Sequence, residues 1–257
     1  DQVIGRRRYC PNGENPNEIV NFPVQCVRGS TRVLTNRGII PISELVGEGF
    51  FAWTGHRWAA ATAIQKGIAE VRSIACCSAT GPIGAEVSLA CDDTHTVKRV
   101  DGNDYIWTRV DAVVPGEDRI ALMQARPLAF GSRAVGMTAA EAATAAYAQG
   151  AWLACPLRAV AITPERIPEY IWRSTLAERQ AFLRGFAAGD NERACEDLWE
   201  ELWLLSRTTG YDTESLLPTL PYEHARFTGR SEFSNHEPIY TLCVDDPLHQ
   251  YVAGGFI

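Results

Sequence analysis

Eight cysteines, at positions 10, 26, 76, 77, 91, 155, 195 and 243, and five histidines carry the most versatile side-chain chemistry in this chain of 257 residues. A thiolate can bind zinc, cross-link, or attack an electrophilic carbon, and an imidazole with an ordinary pKa near ~6.5 can pass protons close to neutrality. No two cysteines have CxxC spacing, and their density is far below that of a small disulfide scaffold. Neither a zinc site nor a disulfide framework is expected, and no metal or other cofactor. Taken singly, most of these thiols read as small buried hydrophobes, Cys243 among them, because it lies on an apolar strand two residues before a turn. An unperturbed thiol of pKa ~8.5 is only a few per cent thiolate at pH 7, yet thiolate is intrinsically nucleophilic, so a thiol such as Cys26 needs modest activation. His95 is the imidazole with short polar neighbours, Asp92 and Thr94. His249 follows "DDP" near the end of the chain and reads either as a second reacting group or as the cap of a turn.

The elements that must position these groups follow from periodicity. Residues 26–122 alternate short β-prone runs with turn residues: "TRVLT", "GIIPI", "FFAWT", "WAAATAIQKG", "EVRSIACC", "EVSLAC", "THTVKRV", "YIWTRV" and "DRIALM". Residues 126–235 are Ala-rich and helical in pattern, and in "NERACEDLWEELWLLSRTTGY" Cys195, Leu198, Leu202 and Leu205 share one face. The β signal returns from Ile239 in "IYTLCVDD" and "QYVAGGFI". The chain is therefore expected to be mainly β, an all-β module interrupted by a mostly α-helical insert.

Composition narrows the function. A hydrophobic share of 46% with 21% charged residues describes a soluble globular chain, and its net charge of −7 argues against a protein whose main task is to grip phosphate backbones. No apolar run approaches the ~18 residues of a membrane span, and "DQVIGRRRYC" lacks the hydrophobic region of a signal peptide. A cytoplasmic protein with no membrane partner is expected.

Residues 1–25 differ in character from the rest of the chain. They carry a basic run and a Pro/Gly/Asn turn cluster, and the segments 5–9 (GRRRY) and 21–25 (NFPVQ) resemble, in order, one place in the palm of family A DNA polymerases. There the second segment leads into a Thr-Ala-Ala-Asp helix. Here Cys26 stands in its place.

From Cys26 onward the chain resembles an intein, a self-excising element with the horseshoe-shaped β fold of the Hint type. "CVRGSTRVLTNRGIIPISEL" is similar to the opening block of that family. "DDTHTVKRVDGNDYIWTRVDAVVPGEDRIAL" resembles the second block through His95, Trp107 and the turn at 116–120, with Asp92 in a position usually held by Thr. "IYTLCVDDPLHQYVAGGFI" resembles the late block through Tyr240, Val244, His249, Tyr251 and Ala253. The resemblance implies a splice junction at Gln25–Cys26 and an N-to-S acyl shift there: the Cys26 thiolate attacks the Gln25 carbonyl and converts the amide to a thioester. It implies that His95 gives a proton to the leaving nitrogen, that Asp92 and Thr94 orient the imidazole or the carbonyl, and that His249 either assists a C-terminal cleavage or caps a turn. The implied division is a flanking segment at 1–25, splicing-domain halves at 26–125 and 236–257, and an insert at 126–235. The family pattern continues with a penultimate His, a terminal Asn and a Ser, Thr or Cys, so this chain is expected to be either a shortened form or a fragment of a longer precursor, holding the machinery of the first step.

The insert resembles a degenerate LAGLIDADG homing endonuclease. "FLRGFAAGDN" (182–191) is similar to one motif and puts Asp190 at its metal-ligand position, whereas in "AQGAWLACP" (148–156) Cys155 falls where the other acid belongs. Strand cleavage with two metals needs an acid from each motif. The 11 arginines, absence of lysine and 14 acidic residues of 126–235, a net of −3, also disfavour DNA binding. A nuclease activity is expected to be lost, with DNA met only through the host polymerase, the flanking polymerase segments as the element's own partners, and a monomeric state. Two further classes remain open at this point: a DNA-cleaving enzyme, and a plain polymerase fragment with a structural insertion.

Overall fold

The computed structural model describes residues 6–7, 19–20, 25–77, 86–102, 104–123, 125–133, 135–154, 166–189, 196–210, 224–231, 234–247 and 249–256. Near the start, β1 (Arg6–Arg7) and β2 (Ile19–Val20) pair antiparallel. All other strands join one large, mainly antiparallel sheet: β3 (Val27–Arg28), β4 (Arg32–Thr35), β5 (Gly38–Pro41), β6 (Gly49–Trp53), β7 (Trp58–Cys77), β8 (Glu86–Asp92), β9 (Thr96–Asp101), β10 (Asp104–Arg109), β11 (Arg119–Ala121), β12 (His224–Arg230) and β13 (Asn235–Val244). Four helices separate β11 from β12 among the described residues: α1 (Ala139–Leu153), α2 (Glu169–Trp172), α3 (Leu176–Ala187) and α4 (Glu196–Arg207). The mainly β expectation holds. Among the described residues no helix is long and apolar enough to cross a membrane.

The backbone of the sheet is β7, which reads in the sequence as two runs but is one strand of 20 residues. Ala59, Ala61 and Ala63 are buried in its first half and Val71, Ile74 and Cys76 in its second. The main core takes odd positions up to Ala63 and even positions from Ile74, while Val71 joins the separate cluster around Cys26; between them lie Gly67, whose φ is +143, and the register irregularity of the partner strand β13 at Ile239/Tyr240. A bulge of this kind bends a strand without ending its pairing, so one long strand serves two ends of the core. β7 pairs with β13 and β8, and the two-residue β3 closes the gap between β13 and β8. The short strand that follows Cys26 is thereby gripped from both sides.

β12 lies within the 126–235 segment yet belongs to the sheet, between β11 and β7. The helices are joined to the sheet by a continuous apolar core that runs from Val27 and Ile74 to Phe186 and Leu205. Leu198, Leu202 and Leu205 of α4 are buried as their spacing predicted, and Trp203 beside them packs so closely over Gly255 that a Cβ there would collide with the indole. Both α1 and α3 begin with a capping box, Thr138 with Glu141 and Thr175 with Glu178, each satisfying two otherwise orphaned backbone groups. The two helices cross in backbone contact: a Cβ at Gly150 would strike the Phe182 carbonyl, and one at Gly185 the Tyr147 carbonyl. Gly189 meets Ala154 in the same way, so the helices run parallel with their C-terminal ends together. Arg179 fixes α3 to the chain leaving the sheet, donating to the carbonyls of Ser174 (2.5 Å), Leu128 (2.6 Å) and Phe130 (3.4 Å), with its guanidinium 3.6 Å from the Phe130 ring centre.

Candidate functional site

The site is built around one peptide bond, Gln25–Cys26. Both residues are buried, Gln25 at 3% and Cys26 at 7% exposure. In antiparallel register Val27 faces Cys91 on β8 and Tyr240 on β13. Continuing one residue back sets Cys26 across from Asp92 on one side and Thr241 on the other. Directly opposed residues hold their Cβ atoms about 4.5–5.5 Å apart, so this short strand delivers three polar side chains to one place. Val71, Ile239, Ala69 and Ala90 surround the thiol with apolar surface.

Both carbonyls of the junction are held. The Tyr251 hydroxyl donates to the Gln25 carbonyl oxygen at 2.5 Å, and the Gln25 side chain pairs with the Tyr251 backbone, accepting from its N–H at 3.1 Å and donating to its carbonyl at 3.4 Å. Burial pushes the Tyr251 phenol well above its ordinary range, against hydrogen bonds from Thr241 and the Leu242 backbone, so it stays a donor at any ordinary pH. His95 lies 1% exposed with Nδ1 3.1 Å from the Cys26 carbonyl oxygen. A carbonyl only accepts, which puts the ring proton on Nδ1. Burial lowers the His95 pKa to about 4, only partly offset by that hydrogen bond, and the imidazole is neutral at pH 7. A neutral imidazole is a hydrogen-bond donor to a leaving nitrogen rather than a ready source of a full proton.

The remaining predicted residues divide. The Thr94 hydroxyl donates to Asp92 Oδ2 at 2.8 Å. Asp92 is buried at 8% exposure, and its other oxygen, Oδ1, has no hydrogen-bond partner among the described residues. Burial raises its pKa, opposed by the hydrogen bond from Thr94 and, less, by the nearby backbone N–H groups of His95 and Thr94. His249 closes a turn, with φ +48 and its N–H donating to the Asp246 carbonyl at 2.9 Å. It is exposed, but it also lines, with Cys26, Phe50, Phe51, Lys66 and Cys243, a cleft of about 840 Å³. Cys243 is exposed on that wall and not in the core, because Leu242 and Val244 take the inward positions of β13 and period two turns the residue between them outward. Asp190 and Cys155 lie outside the described residues. Sequence reasoning gave no role to the Tyr251 hydroxyl or the Gln25 side chain, since the contact joins groups 226 residues apart and no local spacing announces it.

Set against models of known protein families and against curated proteins, the chain matches none of them.

Proposed function

We propose that this chain is a self-processing element of the intein type, whose first reaction is an N-to-S acyl shift at Gln25–Cys26. The observation that carries the reading is the clamp on the junction: a buried peptide bond preceding a cysteine, with Tyr251 donating to the carbonyl that must become tetrahedral and His95 donating to the next carbonyl along. Ordinary chain has no need of a buried tyrosine on one peptide oxygen and a buried histidine on the adjoining one. In the acyl shift the Cys26 sulfur adds to the Gln25 carbonyl carbon, Tyr251 stabilises the oxyanion, and the C–N bond breaks to leave a thioester and the free Cys26 amine. Donors fixed where charge develops act without reorganisation, and removal of one such donor typically costs ~10²–10³ in rate. As the nitrogen turns pyramidal its lone pair becomes an acceptor for the Nδ1–H of His95, which already holds the same residue.

The pairing of β13 with β3 sets a late strand of the 26–257 segment beside the strand that follows Cys26, which supports a splicing domain of the horseshoe type. The sequence of residues 1–25 supports a family A DNA polymerase as host, in the cytoplasm of a bacterial or phage-infected cell. For the helical segment, the parallel crossing at Gly150 and Gly185 favours descent from a LAGLIDADG endonuclease, whose helices must lie close enough to bring their two acids together. With Cys155 in one acid position that activity is lost.

Incubation of the purified chain with excess dithiothreitol tests the reading. It should release the 25 residues preceding Cys26, and Cys26→Ala should abolish release. Equal release from the Ala variant would refute the assignment.

A further inference from the structure

We propose that Asp92 is the group that takes the proton from the Cys26 thiol and returns it to the leaving Cys26 nitrogen, so that a single carboxylate carries both proton transfers of the acyl shift. The proposal rests on the reading of Gln25–Cys26 as a self-cleaving junction.

The starting point is an oxygen with nothing to do. Asp92 is buried at the end of β8, Thr94 ties down Oδ2 at 2.8 Å, and Oδ1 is left with no partner among the described residues. An unsatisfied carboxylate oxygen in the interior is costly to the fold unless the site uses it. The Val27–Cys91 pairing of β3 with β8, extended by one residue, sets Asp92 across from Cys26, and the packing of Cys26 against Val71 and Ala90 puts the thiol on the same face of the sheet. Thr94 thus occupies Oδ2 and leaves the lone pairs of Oδ1 unclaimed among the described residues, on a side chain that shares this face with the thiol.

The other groups around the junction are unsuited to the task. The Tyr251 phenol is spent on the Gln25 carbonyl, and His95 presents its N–H, not a lone pair, to Cys26. The Cys91 thiol is held protonated by burial and by the nearby Asp92 and Asp93 charges. Asp93 points to Arg230 at 3.3 Å on the surface. Burial also raises the proton affinity of Asp92 toward that of the thiol, which makes the transfer less uphill.

The step balances. The Sγ–H proton passes to Oδ1, the sulfur forms its bond to the Gln25 carbonyl carbon, and the carbonyl electron pair moves to the oxygen held by Tyr251. When the oxyanion collapses, the C–N bond electrons go to the Cys26 nitrogen, which takes the proton from Oδ1. Asp92 ends ionised as it began, and the proton lost by sulfur is the one gained by nitrogen.

Dithiothreitol-dependent release of residues 1–25 is followed across a pH range of about 5.5 to 9 in the unsubstituted chain, in Asp92→Asn and in Asp92→Thr, with circular dichroism to confirm folding. The Asn variant keeps the shape and the Thr variant restores a small polar group, so loss of fold in one leaves the other to decide. We expect release to slow ~10²-fold or more in a folded variant, with the profile changing shape: a plateau above the Asp92 titration in the parent, and a rise of about tenfold per pH unit toward the thiol pKa of ~8.5 in the variant. Parental rates in the variants overturn the proposal and leave the junction reading intact. Slow release with the parental profile shows that Asp92 only supports the fold there and also overturns it. No release from the unsubstituted chain removes the junction reading and the proposal with it.

Discussion

The hydroxyl of Tyr251 donates a 2.5 Å hydrogen bond to the carbonyl oxygen of Gln25, and the Gln25 side chain returns two hydrogen bonds to the backbone of Tyr251. The two residues stand near opposite ends of the chain and hold the same peptide bond. Tyr251→Phe keeps the ring packed and removes only the donor. Thiol-dependent release should fall by ~10²–10³ with little change in thermal midpoint, and a variant releasing at the parental rate would separate this contact from the chemistry.

The two histidines should behave differently. His95→Gln takes away the buried donor on Cys26 and should slow release by about 10²-fold or more. His249→Gly should leave release within a few-fold, because the imidazole is exposed and its backbone, at φ +48, is the conformation that glycine adopts without strain. Stability of the Gly variant, read from a urea transition, should be unchanged or raised by up to ~1 kcal/mol.

His95 also makes the fold acid-sensitive in a definite window. The folded chain refuses a proton until about pH 4, whereas the unfolded chain accepts it near 6.5. Stability from this residue is therefore complete above pH 6.5, is lost as pH falls through the window, and the loss levels off below about 4, at on the order of 3 kcal/mol. Asp92 runs the other way, since its raised pKa favours the folded state at low pH and that contribution disappears as pH rises through its titration. The difference between parent and His95→Gln isolates the histidine. Between about pH 7 and about pH 4.5 the urea midpoint should drop further in the parent than in the variant, and equal drops would contradict a buried neutral imidazole.

The helical segment should not be removable without consequence. Replacing residues 130–232 by a flexible linker takes out β12, a strand lying between β11 and β7, and uncovers Gly255 and the core beneath Trp203. Such a variant should aggregate, since large contiguous apolar surface is exposed. Trp203→Ala is the milder probe and should cost ~3–5 kcal/mol by chemical denaturation. A soluble deletion variant with parental release would mean that the sheet is self-sufficient.

The proposed loss of nuclease activity has its own assay. Supplying Mg²⁺ and DNA spanning an uninterrupted polymerase gene should give no specific cut, and a specific cut would show that a second acid does the work that Cys155 cannot.

Local chemistry made part of this protein legible in its sequence. Period-two runs mark the strands, 3.6-residue spacing marks the buried face of Leu198, Leu202 and Leu205, short polar neighbours mark His95, and the resemblance of the block it opens marks Cys26 as a group to watch. Each of these depends on neighbours within a turn or a strand, which is the range over which side-chain pattern controls backbone. Tertiary structure decided what depends on partners far along the chain. The continuity of β7 follows from β13 pairing along half of its length and β8 along the rest, the outward turn of Cys243 from which face of that strand pair met the core, and the place of β12 from strands distant in sequence. The role of Thr94 and the hold of Tyr251 on Gln25 belong to the same class: a hydrogen bond is short-ranged and directional, and only closure of β3 between β8 and β13 brings those donors and acceptors within about 3 Å of one another.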